Sequence, residues 1–90
     1  MRANQSIFFV EVTDMYGGEA NYSWVNRFKV HASTYRGAIR KVQSEMNLGS
    51  ARLLMNFGDS ACYKFVNAEI CAFVDAYEDQ AEHYSNVKSI

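Results

Sequence analysis

Ninety residues with 49% hydrophobic and 14% aromatic content make one domain with an adequate core, and exclude a disordered chain. A net charge of −1 argues against a general nucleic-acid binder and equally against a polyanion. Two cysteines, Cys62 and Cys71, are too few for the disulfide framework of a small secreted domain, and no apolar run approaches the roughly 20 residues that span a bilayer. No basic stretch leading into an apolar run opens the chain, so the expectation is a cytoplasmic protein with no secretory leader and no membrane contact.

Residues 7–13 are rich in β-branched and aromatic side chains and predict a strand. Residues 15–21 follow as a loop, with Gly17 and Gly18 free to take positive φ. Residues 22–32 predict the second strand, with Trp24, Phe28 and Val30 on one face and Arg27, Lys29 and His31 on the other. Ser33 is a good N-cap for a helix over residues 34–47. Tyr35, Ala38, Ile39, Val42 and Met46 form its apolar stripe, and Gly49 suits its left-handed C-terminal cap. Residues 51–57 predict a third strand with Leu53, Met55 and Phe57 pointing inward. Residues 58–60 turn, residues 63–66 read as a short strand or strand-like loop, and residues 69–77 read as a final strand. The spacing of Ile70, Phe73, Val74 and Tyr77 also fits a helix. From about residue 79 the chain is polar and expected to fray, with Val87 and Ile90 docking back.

This order predicts a single α+β domain over residues 1–90. It is an antiparallel sheet of three to four strands in β-β-α-β-β order, with one helix packed on one face. The uncovered face then carries Ile7, Phe9, Val25, Arg27, Lys29 and His31. Such a mixture of apolar and basic residues suits a binding surface, self-association into a homodimer, or an ordinary solvated face.

Charge is unevenly distributed. Residues 26–57 hold Arg27, Lys29, Arg36, Arg40, Lys41 and Arg52 against Glu45, whereas residues 58–90 hold Asp59, Glu69, Asp75, Glu78, Asp79 and Glu82 against Lys64 and Lys88. Metal chemistry is not expected, because His31, Cys62, Cys71 and His83 lack ligand spacing and the acidic run lacks a calcium-loop pattern. Neither cysteine sits in a nucleophile-type turn, and Gly17-Gly18 is not a phosphate loop. No catalytic residue and no cofactor are therefore assigned.

The segment Tyr16-Gly17-Gly18-Glu19-Ala20-Asn21-Tyr22-Ser23-Trp24-Val25 continues through Arg27 to Ala32-Ser33-Thr34-Tyr35-Arg36-Gly37-Ala38, and a weaker likeness extends to Ile70-Cys71-Ala72-Phe73-Val74. Over about a third of the chain this resembles short proteins of tailed phages and prophages. The resemblance implies a phage protein that evades host defence by binding and inhibiting a host protein or protein–nucleic-acid complex, as anti-CRISPR proteins do. It carries no catalytic residues. The expected contact is an acidic patch of Asp75, Glu78, Asp79 and Glu82 imitating phosphates in a basic channel, with Glu19 and its neighbouring loop as the second candidate. The alternative is a nucleic-acid-binding or regulatory protein using Arg27, Lys29, Arg36, Arg40 and Lys41.

Overall fold

Two glycines decide where the first hairpin turns. Gly17 and Gly18 adopt φ of 62° and 84°, a left-handed pair whose twist matches that of two antiparallel strands. They join β1 (Ser6–Tyr16) to β2 (Glu19–Ala32), so the loop expected over residues 15–21 shrinks to two residues. The structure is a computed structural model in which residues 6–77, 84 and 86–90 are described.

After β2 the chain enters α1 (Tyr35–Glu45). Thr34, one residue beyond the expected Ser33, is the cap, its hydroxyl accepting from the Gly37 N–H at 2.9 Å. Beyond the C-cap Met46, Asn47 takes the left-handed φ of 55° while the Leu48 N–H reaches back to the Gln43 carbonyl. Gly49, expected to hold that conformation, does not. The apolar stripe is as read: Ala38, Ile39 and Val42 are buried, with Tyr35 and Met46 packed beside them.

Four further strands follow: β3 (Ala51–Asn56), β4 (Ser60–Phe65), β5 (Ile70–Ala76) and β6 (Val87–Ser89). The sheet order is β3-β4-β5-β1-β2-β6. Every pairing is antiparallel except that of β6 with β2, which is parallel. The expected fold class is corrected accordingly. The protein is mostly β, with six strands in one mixed sheet and one short helix, not a three- to four-stranded antiparallel sheet in β-β-α-β-β order.

Two physical causes account for the difference. Residues 60–65 and 70–76 pair with each other across a tight turn, where the Ala68 N–H donates to the Phe65 carbonyl, so they form two full strands. The C-terminus, expected to dock back at Val87 and Ile90, does so as a paired strand: Ile90 exchanges backbone hydrogen bonds with Lys29 and His31 and packs on the core.

Period-two alternation sorts the sheet into two faces. Phe8, Val10, Val12, Phe28, Val30, Ala61, Tyr63, Phe65, Ala72 and Val74 meet α1 in the main core. The larger of these at most 1% exposed, Val10, Val12, Val30, Phe65 and Val74, each contribute about 1.5–3 kcal/mol by burial. Trp24 does not join them, because β2 departs from regular pairing at that point.

Between the pairs Thr13–Val25 and Met15–Ala20, Asp14 alone faces the four β2 residues 21–24. This bulge places Tyr22 at φ 59°, a conformation that bulky side chains adopt only when surrounding contacts enforce it. Here the enforcement comes from β1. The buried Thr13 hydroxyl accepts from the Tyr22 N–H at 3.0 Å and donates to the Trp24 carbonyl at 2.8 Å. The Asp14 carboxylate accepts from Ser23 and Asn21 at 2.9 and 2.8 Å.

Candidate functional site

The sheet face away from α1 follows from the β1–β2 register, which places Ile7, Phe9, Val25, Arg27, Lys29 and His31 there with Glu11 and Thr13. Much of this face is already occupied by the protein's own side chains. Tyr84 stacks on Phe9 at 5.8 Å, and Tyr77 meets Phe9 edge-on at 6.3 Å. The Arg27 guanidinium lies 3.9 Å from the Tyr84 ring centre and pairs with Glu11 at 2.9 Å, while the Lys29 ammonium lies over Tyr77. Further along, Tyr22 stacks on Phe73 beside a second cluster of Met15, Cys62 and Cys71. Burial pushes the Tyr22 hydroxyl above its usual range, with the Glu11 carboxylate adding to the effect.

The alternative basic surface is therefore divided three ways. Arg27 and Lys29 lie against aromatic rings on the open face. The Lys41 ammonium donates to the His31 carbonyl. Arg36 and Arg40 line a cleft on the other flank of α1.

Of the expected acidic residues, Glu19 and Asp75 lie among those described. Glu19 closes the hairpin opposite Tyr16, whereas Asp75 pairs with Phe9 near the other end of β1, roughly 23 Å away along the strand. Glu78, Asp79 and Glu82 lie outside the described residues. No helix among the described residues is long and apolar enough to cross a membrane.

The two thiols share the second cluster, with Cys71 1% and Cys62 9% exposed. Burial pushes Cys71 up to about 11 and raises Cys62 as well. Such thiols stay protonated near neutrality and are poor nucleophiles.

What remains open is the outer edge formed by β3. Leu53, Met55 and Phe57 were expected inside. They are instead 43%, 54% and 57% exposed, and Leu54 and the neighbouring Val66 are exposed with them. Two features explain this. The helix packs mainly over β1, β2 and β5. A bulge also breaks the register, since Leu53 faces Tyr63 but Met55 faces Cys62, leaving Leu54 without an opposite residue.

The result is a six-residue outer strand with several apolar side chains, no proline and a single charge, Arg52. The other outer strand, β6, has three residues including Lys88, whose ammonium pairs with Glu45. Short, charged edges resist adding another strand, and long apolar ones invite it. Sequence reasoning missed this surface by assigning one buried face to residues 51–57. The adjacent apolar pair Leu53-Leu54, which no strictly alternating strand contains, was the available signal.

Comparison of the chain with protein-family models, with curated proteins and with solved structures finds no match.

Proposed function

We propose that the protein is a non-catalytic binding module that engages a protein partner along the β3 edge. In the phage or prophage setting implied by the resemblance of residues 16–38, that partner is a host complex in the cytoplasm, and docking inhibits it. The observation that carries the binding reading is the exposure of Leu53, Leu54 and Met55 on an outer strand, with Phe57 just beyond its end, whose counterpart across the sheet is short and charged. A partner strand adding here gains main-chain hydrogen bonds from β3, and the apolar side chains supply anchors. Exposed apolar clusters of this kind mark interaction surfaces on soluble domains.

The test compares immobilised wild-type protein with a Leu53→Lys, Met55→Lys variant for retention of host proteins. Retained proteins are then purified and their binding and inhibition measured directly. A partner held by the wild type, released by the edge variant and unaffected by Tyr16→Ala at the hairpin tip supports the reading. Equal binding and inhibition by the edge variant, with loss on changing Glu19 and Asp75 to Lys, would move the interface to the acidic residues and refute it.

A further inference from the structure

Between α1 and the β3–β4 end of the sheet lies a cleft of about 390 Å³, lined by Arg36, Ile39, Arg40, Gln43, Ser50, Ala51 and Tyr63. It exists because the helix packs mainly over β1, β2 and β5 and leaves part of the β3–β4 end of the sheet uncovered. Arg36 and Arg40 are one helical turn apart and both are exposed, so their side chains rise from the same flank of the helix. Among the described residues neither side chain takes part in an ion pair or a hydrogen bond, and α1 has no acidic residue in its first turn. A cation in a helix's first turn opposes the helix dipole. Arg36 therefore holds a position that the local field disfavours unless an anion sits beside it.

We propose that this cleft binds a small phosphomonoester, with the phosphate held by Arg36 and Arg40. Two guanidinium forks offer planar, paired N–H donors that match phosphate oxygens, and two positive charges balance a dianion. Gln43 and Ser50 add neutral hydrogen-bonding groups at the rim, and Ile39 and Ala51 give the organic part an apolar wall. The volume falls within the range of small-ligand sites. A mononucleotide combines a dianionic phosphate with a flat aromatic base whose face can lie against such an apolar wall. The site is distinct from strand addition at β3 and does not depend on it.

The experiment follows the Arg36 and Arg40 side-chain Nε–H resonances of the full chain by NMR during separate titrations. The probes are adenosine monophosphate, inorganic phosphate, adenosine, and a ten-residue oligothymidylate with a free 5′ hydroxyl, with chloride at matched ionic strength as control. Saturable shifts with the monophosphate, weaker ones with phosphate and none with adenosine or chloride are expected. Arg36→Gln and Arg40→Gln should each weaken binding by about tenfold or more, as loss of a charge-assisted pair implies. Lys41→Gln, on the other flank, should leave it unchanged. Absence of saturable shifts, or equal shifts with chloride, would overturn the proposal. Equal or tighter binding of the oligothymidylate, which has only diester phosphates, would overturn the phosphomonoester assignment.

Discussion

Replacing Thr13 by Val tests whether the β2 bulge is held from β1. Thr13 is fully buried, and its hydroxyl is the partner of two backbone groups, the Tyr22 N–H and the Trp24 carbonyl. Valine keeps the branched shape and the strand preference while removing both hydrogen bonds. Each unsatisfied buried group costs about 1–3 kcal/mol. The side chains of Tyr22 and Trp24 are 58% and 38% exposed, so water reaches part of the bulge and the low end of that range applies to each. The extra buried methyl recovers about 0.8 kcal/mol, leaving a net loss of about 1.2 kcal/mol. In a domain of this size that lowers the Tm by roughly 5–10 °C. Urea titration followed by Trp24 fluorescence and thermal melts followed by circular dichroism measure the loss. Hydrogen exchange at the Tyr22 amide reports whether the bulge itself has loosened. A variant as stable as the wild type with unchanged Tyr22 exchange would show that the bulge is held by something other than Thr13.

Other outcomes follow from the same structure. Ile39→Ala removes a 2%-exposed side chain from the helix–sheet interface and should cost about 2–4 kcal/mol; a loss below about 0.5 kcal/mol in a urea titration would place Ile39 outside the core. Asp14 is held down to about 2 by the Ser23 side chain and then by Asn21. Its folded value lies below its unfolded one, so its stabilisation is fully present above about pH 4 and is lost as pH falls towards 2. Carbon-detected NMR should find the Asp14 midpoint near 2, and a midpoint near the ordinary aspartate value would refute the carboxylate clamp. Cys71, with its thiol near 11, is thiolate in only about one molecule in 10,000 at pH 7, and Cys62 is shifted the same way. Both should resist iodoacetamide in the native protein and react on unfolding; rapid native labelling would contradict their burial.

The legible parts of the fold were those where local chemistry and tertiary context agree. The spacing from Tyr35 to Met46 marks a helix in any setting, and the double glycine between two alternating runs marks a hairpin. Residues 69–77 carried both periods, and neighbours decided between them, because β5 is flanked by β1 and β4 and must be extended. The contribution of Val87–Ser89 as a parallel edge strand could not be read locally, since three residues carry little pattern and the partner lies in β2.

The candidate surfaces were less legible for a related reason. Alternation tells which residues share a face, and it placed Arg27 and Lys29 together correctly. It does not tell how far a helix reaches across a sheet. That reach leaves β3 bare and opens the cleft beside Arg36 and Arg40. Trp24 was assigned inward because a bulge resets alternation without any change in residue type, although the polar Asn21 and Ser23 in an otherwise alternating strand marked the place.

The position of β1 has a consequence for how the molecule assembles. Its first residues align with the last of β5, Phe8 facing Ala76, so a central seam of the sheet joins segments nearly a chain length apart. Local steps such as the glycine hairpin and the helix can form within microseconds, but closing that seam requires a long loop to be drawn in against its entropy. Folding on the millisecond-to-second scale is expected, limited by β5 docking. During synthesis the β1–β2 hairpin leaves the ribosome with its other, apolar edge bare until β5 has emerged. Chains truncated before β5 would expose that bare edge together with β3, and would be prone to pair with one another.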